Sequence, residues 1–292
     1  GLDPTPELAE VERAIAAGVA PGGTHRAHGD AAVPSRRSIP TAATPLVGRE
    51  AEVGAVWRLL DAERLVTIVG TGGVGKSRLA ADLARRHDDA HWVSLAPLAA
   101  ADDLPRTLAA ALGLEAARGD VVDACAHLLR SGEQLLVLDN CEHVLAASRE
   151  VVGRLLQMCP TLTVLAASRQ RLGLPDECTF RLGPLALPDP TVASSELAPA
   201  LALFLDRARR ARPGFELAEG DRDAAVSVVR RLDGVPLAIE LAAGRLSALG
   251  VADLRDRLDR ALELLRGDRT ASDARHQTLR ATLAWSYDLL PA

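Results

Sequence analysis

The stretch LVTIVGTGGVGKSRLAADLARR, residues 65–86, constrains this chain more than any other feature. Five residues of strand-forming character run into a loop holding Gly70, Gly72, Gly73 and Gly75. That loop runs directly into a helical pattern over about 76–87. The loop, Gly70 to Ser77, fits GxxxxGK[ST]. Glycines let the backbone wrap closely and turn its N–H groups toward an anion, and the helix N-terminus adds a favourable dipole. The chain has 33 arginines and a single lysine, and that lysine is Lys76, inside the loop. A compact ammonium on a thin stem reaches between the β- and γ-phosphates of a nucleoside triphosphate. Arginine's planar fork does not substitute freely there. Ser77 offers a hydroxyl to Mg²⁺.

Beyond the loop, short apolar runs alternate with helical segments. Leu65–Val69, His91–Leu95, Gln134–Leu138, Thr163–Ala167 and Thr179–Leu182 read as strands, with helices between them at about 76–87, 102–112, 120–131 and 143–158. Strands of this kind alternating with helices predict an α/β fold with a parallel sheet covered on both faces. After Pro190 the strands stop. Residues 196–212, 220–232, 236–248 and 251–265 carry helical periodicity, so an all-α domain is expected to follow. Residues 3–17 form a further helical pattern, and the Gly-, Pro-, Ser- and Thr-rich stretch after it reads as a linker.

A second strand, QLLVLDN, ends in Asp139 after four apolar residues, as a Walker B strand does, and its carboxylate is placed to hold Mg²⁺ directly or through water. The helix and strand that lie between the two motifs in sequence are expected to insert a strand between the motif strands. Asn140 follows Asp139 where many fast ATPases carry a second acidic residue. Glu142 close by either polarises water or is a solvated residue at a helix start. Without a carboxylate to orient water, turnover is slow, which suits a switch better than a motor. The run TVLAASRQRL ends a strand near Ser168–Arg169. Arg169 is either a sensor of the γ-phosphate at the same sheet edge or an ordinary surface arginine.

The bulk properties narrow the field. A net charge of −5 excludes an obvious nucleic-acid binder. Cys125, Cys141, Cys159 and Cys178 form no CxxC pair, so buried thiols in a reducing cytoplasm are expected rather than a disulfide framework or a zinc site. No apolar run is long enough to span a bilayer, and a cytoplasmic location without membrane contact is expected. The sequence contains no GxSxG and no HExxH. It starts without methionine and reads as a cut from a longer protein.

PLVGREAEV (45–53), GTGGVGKS, LLVLDNCEHV, AASRQRL and LDGVPLAIELAAGRL (232–246) together resemble the STAND class of signal-transducing P-loop NTPases. The likeness is to the branch found in Streptomyces antibiotic regulatory proteins. The resemblance implies an ASCE-type P-loop domain at 45–190 and a helical domain at 191–275, binding ATP or ADP with Mg²⁺. Its implied catalytic set is Lys76, Asp139, Glu142 and Arg169, with Ser77 and Asp139 on the metal. The nucleotide set it implies is Val47, Gly48 and Arg49 behind the adenine; Gly70, Thr71, Gly72, Gly73, Val74, Gly75, Lys76, Ser77 and Arg78 on the phosphates; and Gly234 and Pro236, with Val235 between them, pressing on adenine or ribose. Read from the residues alone, Pro236 is simply proline in a helix first turn. Adenine over guanine also rests on the resemblance, together with the absence of an NKxD motif.

The ends extend the likeness. Residues 1–17 resemble the last helix of a bacterial transcriptional activation domain, 18–44 a flexible linker, and 276–292 the start of a winged-helix domain. The implied parent is a transcriptional activator of antibiotic or secondary-metabolite genes, reaching DNA and RNA polymerase through domains outside this chain. ATP would favour an open, self-associating form and ADP a closed monomer, with slow hydrolysis between. Other readings are a STAND NTPase of a LuxR-type regulator or defence sensor, a clamp that binds without hydrolysis, and a metabolic P-loop kinase. The kinase reading needs an arginine-bearing lid that the sequence does not offer.

Overall fold

The computed structural model describes residues 39–114, 120–189 and 197–263, with side chains described to residue 258. The expectations for 1–17 and 276–292, and most of those for the linker, lie outside the described residues. The described chain divides into two compact units. One, the sheet unit, takes residues 56–69 and 80–180 with a short piece before Ala43. The other, the helical unit, takes 43–55, 70–79 and everything described after Phe180.

The sheet unit is built on five strands: β1 (Leu65–Val69), β2 (Ala90–Ser94), β3 (Gln134–Asp139), β4 (Leu162–Ser168) and β5 (Cys178–Arg181). Their order across the sheet is β2-β3-β4-β1-β5, and the three ladders joining β2, β3, β4 and β1 are parallel. Parallel strands need helical crossovers. These are α2 (Lys76–Arg86), α3 (Leu104–Ala111), α4 (Val121–Leu129) and α5 (Leu145–Met158). The core sits on the inner strands and these helices, with Leu136, Leu138, Val164 and Ala166 of the sheet packed with Leu108, Leu129, Val152 and Leu155. Asp120 caps α4, its carboxylate accepting from Val122 N at 2.8 Å and Asp123 N at 3.3 Å. Arg154 holds Asp120 from α5 and keeps its carboxyl below the usual carboxylate range.

A strand does separate the two motif strands, but it is β4, not the strand that lies between the motifs in sequence. That strand, β2, forms the far edge of the sheet. Burial explains the choice: Val164–Ala167 of β4 are all buried, whereas His91 and Ser94 of β2 are only half-buried and suit an edge. The sequence reading also missed a helix, α1 (Glu50–Ala62), which begins right after the VGR turn and carries Glu50 and Glu52 in its first turn.

The helical unit holds α6 (Pro199–Ala211), α7 (Arg222–Arg231), α8 (Pro236–Gly244) and α9 (Val251–Glu263). Pro199 and Pro236 open α6 and α8 at positions where a missing N–H costs nothing. α6 packs mainly on α8, and α7 on α9. Their apolar stripes close around Phe204, Val228, Ile239 and Leu254, all fully buried, and Val47 packs against this core.

Candidate nucleotide site

The phosphate loop belongs to the helical unit. At Gly73 φ is +74°, and an added Cβ would lie 3.0 Å from Leu237 Cβ, so only glycine fits this turn. Val74 is fully buried and anchors the loop. Lys76 opens α2, and its Nζ donates to Gly70 O at 2.9 Å and Thr71 O at 3.1 Å, so the ammonium lies on the loop's own carbonyls.

Two of the segments singled out with the loop, 45–53 and 232–246, are in the same unit. Arg49 is only 4% exposed. Its Nη2 donates to Val74 O at 3.2 Å and Gly183 O at 2.7 Å, while Nη1 pairs with Glu52 at 2.6 Å. Arg49 therefore braces the loop from behind. Gly48 abuts Pro199 of α6. Gly234 takes φ +67°, and its carbonyl accepts from Leu185 N at 2.9 Å. Two residues on, Pro236 starts α8, and Leu237 N donates to Gly73 O at 3.1 Å. The GVP turn thus meets the phosphate loop through main-chain atoms. Arg78 reaches Glu240 with Nη1 at 2.8 Å and Thr44 and Pro45 with Nη2.

Asp139, Glu142 and Arg169 belong to the sheet unit. Val69 is in register with Ser168, and Asp139 with Ala167. The ends of β1, β4 and β3 therefore close one edge of the sheet, with Asp139 two strand spacings of about 4.8 Å each from the end of β1. The phosphate loop starts at the next residue after Val69. Asp139 is 7% exposed. Asn140 follows in the left-handed region at φ 67°, its N–H donating to Ala167 O at 3.0 Å. This kink turns the chain into the short 3₁₀ turn Cys141–His143 that carries Glu142. Glu142 Oε1 accepts from Arg169 Nε at 3.1 Å, while Oε2 is buried without a hydrogen-bond partner among the described residues. Glu142 is 17% exposed and Arg169 59%. The expected base and the expected sensor are thus paired with each other. Beneath them the Cys141 thiol donates to Leu138 O at 3.5 Å. Burial first, then the charges of Asp139 and Glu142, push it far above the ordinary thiol range, so it stays protonated.

The loop after Arg169 is fixed by a residue that sequence reasoning missed. Glu177 accepts from three successive N–H groups, Leu172 at 2.7 Å, Gly173 at 2.5 Å and Leu174 at 3.3 Å. Arg149 adds a bond to Leu172 O at 2.6 Å. Glu240, Arg207 and Thr44 were missed as well. The one visible signal was Glu240, a lone charge inside the apolar run PLAIELAA.

The loop's donor set fits the phosphates of a magnesium nucleotide: a glycine cradle, one ammonium and a Ser77 hydroxyl. Among the described residues no group of three His, Cys, Asp or Glu side chains is arranged to hold a metal ion. A divalent cation on the Ser77 hydroxyl would take its remaining ligands from phosphate oxygens and water.

This fold and this loop define an α/β P-loop NTPase. Residues 60–174 match the AAA domain family. The chain is 41% identical over 236 residues to a protein of Mycobacterium tuberculosis (strain ATCC 25618 / H37Rv) named as an HTH-type transcriptional regulator, covering 80% of this chain and 26% of that protein. It is 34% identical over 311 residues to the regulatory protein AfsR of Streptomyces griseus, covering 92% of this chain and 29% of AfsR. The chain thus spans between a quarter and a third of the length of these two relatives. Among solved structures, a Walker-type ATPase of Pyrococcus abyssi shares the fold at 15% identity, with a TM-score of 0.50 over 80% of this chain and 77% of that one. No helix among the described residues is long and apolar enough to cross a membrane.

Proposed function

We propose that this chain is the nucleotide-controlled switch of a STAND-type transcriptional regulator of the Streptomyces antibiotic regulatory kind. It binds ATP or ADP with Mg²⁺ and hydrolyses ATP slowly. The observation that carries the reading is the bond from Leu237 N to Gly73 O. A loop built for phosphates is tied through it to the first turn of a helix in a four-helix bundle. A catalytic enzyme has no need of that tie, whereas a switch requires its bundle to feel the loop. The relatives named as regulators support the same reading, with the P-loop domain at 45–190, the helical domain at 191–275, and DNA and RNA polymerase engaged by other domains of a parent protein.

Magnitudes are adequate. A conformation that binds nucleotide at 1,000 times its Kd gains about 4.1 kcal/mol over one that does not bind. Shifting a population from 1:99 to 99:1 takes about 5.5 kcal/mol. Nucleotide plus contacts between protomers in an ATP-bound assembly supplies that amount. The pairing of Glu142 with Arg169 favours slow turnover, because the carboxylate nearest the Walker B position already has a cationic partner.

The test is to denature freshly purified chain and identify any released nucleotide by ion-exchange chromatography, alongside titration with magnesium ATP and ADP. Nucleotide recovered near one per chain, or saturable binding that Lys76→Ala abolishes, is the expected result. Unchanged ATP affinity in Lys76→Ala would remove the site assignment.

A further inference from the structure

We propose that Arg78 and Glu240 form a relay between the phosphate loop and the helical bundle, with Arg78 a positioning residue rather than a phosphate ligand. The proposal rests on the nucleotide reading of the loop. Arg78 sits in the first turn of α2, two residues after Lys76. Its Nη1 lies 2.8 Å from Glu240 Oε1. Its Nη2 lies 2.9 Å from Thr44 O, 2.8 Å from Thr44 Oγ1 and 3.0 Å from Pro45 O. Both arms of the fork are thereby committed to protein acceptors, and a planar guanidinium held at both arms is fixed in direction.

Glu240 is shared. Arg207 Nε also lies 2.9 Å from the same Oε1, and Arg207 is 8% exposed, held further by Asp206 and by Pro45 O at 3.4 Å. One carboxylate oxygen therefore joins a guanidinium from α2 to one from α6. Neutralising Glu240 removes the anion that Arg78 and Arg207 share, while Arg207 keeps its pairing with Asp206, so the link between α2 and α6 is lost.

The same helix touches the loop at a second point. Leu237 N, one turn before Glu240 on α8, donates to Gly73 O at 3.1 Å. α8 thus grips the loop region on both sides of Lys76, at Gly73 before it and at Arg78 after it. A change in the loop's set around a phosphate shifts both grips together, and α8 is the element that registers it.

The experiment is a double-mutant cycle on the whole chain with magnesium ADP, read by calorimetry and by hydrogen exchange. Arg78→Gln and Glu240→Gln should each weaken ADP binding about tenfold, and the double variant should be no weaker than the worse single one. In the wild type, ADP should slow exchange of the amides at 237–241, and in Glu240→Gln that nucleotide-dependent slowing should disappear. A merely structural role would shift exchange equally with and without ADP. If Glu240→Gln leaves ADP affinity unchanged or tightens it while Arg78→Gln weakens it, Arg78 holds phosphate itself and the relay is wrong. Additive losses in the double variant also overturn it. Glu240→Asp keeps the charge with a shorter reach; it should fall between wild type and Glu240→Gln, and it serves if the neutral variant does not fold. Lys76→Ala stands outside the cycle. A wild type that ignores ADP, or a Lys76→Ala variant that binds like wild type, removes the nucleotide reading itself. Loss of binding in Lys76→Ala with an additive cycle removes only the relay.

Discussion

Replacing Gly234 with alanine probes how tightly the GVP turn is built. Gly234 has φ +67°, and a Cβ there would lie 2.3 Å from Leu185 O, a backbone atom that has no rotamer to retreat into. Two costs add. Holding alanine in the left-handed region costs about 1–2 kcal/mol. Relieving the overlap pushes Leu185 away and breaks its N–H bond to Gly234 O, now 2.9 Å long, at a net cost of about 1 kcal/mol. The sum, about 2–3 kcal/mol, corresponds to a fall of roughly 5–10 °C in the midpoint for a folded region of this size. Gly214 supplies the control, because it has φ +78° and a Cβ added there would meet no heavy atom within 4 Å. Gly214→Ala carries the backbone cost alone. Thermal unfolding of both variants, followed by circular dichroism, should separate them by the contact cost. If Gly234→Ala is no less stable than Gly214→Ala, the turn is not pinned against Leu185 and the reasoning fails. Because Leu237 N is bonded to Gly73 O three residues beyond Gly234, the same variant should also bind magnesium ADP more weakly, by calorimetry, whereas Gly214→Ala should not.

Asp139→Ala should weaken magnesium-dependent nucleotide binding by an order of magnitude or more and stop phosphate release, while leaving magnesium-free binding nearly unchanged in the same titration. Glu177→Gln should cost about 1–3 kcal/mol in urea unfolding, because three backbone donors lose an ionised acceptor; a midpoint equal to wild type would mean that this carboxylate does not fix the loop. Cys125 gives a pH prediction. Burial, with a smaller contribution from Asp120, raises its thiol from 9.0 to about 11. The folded state therefore binds this proton more tightly than the unfolded state. Its stabilising contribution is complete below pH 9 and is lost as pH climbs to about 11. Urea midpoints of wild type should fall over that window more steeply than those of Cys125→Ala, and parallel curves would assign the decline to other groups.

What was legible in the sequence followed from local rules, and what was not followed from distance along the chain. The strand LVTIV, the glycine loop and the start of α2 at Lys76 are one continuous signal, because strand, turn and helix each impose their own residue choice on neighbours. The half-buried His91 and Ser94 mark β2 as an edge, yet strand order depends on which apolar run needs two covered faces, a comparison among strands rather than a property of any one. Helix α1 has a weak local signature, because the VGR turn just before it carries the motif residues Gly48 and Arg49, and Val53 and Val56 are its main buried periodic signal. The ion pair of Arg78 with Glu240 spans 162 residues, and nothing local to either residue names the other. Arg78 follows GKS and invites assignment to phosphate; Glu240 sits in an apolar helix and invites assignment to nothing. Only packing α8 on α6 and on the start of α2 gives that half-buried carboxylate its purpose, since a charge next to the fully buried Ala238, Ile239 and Ala242 in the helix is best met by a cation within reach. The rule that makes a lone charge in an apolar helix conspicuous is therefore the one that points from the sequence to the partner, provided the question asked of it is which cation it must meet.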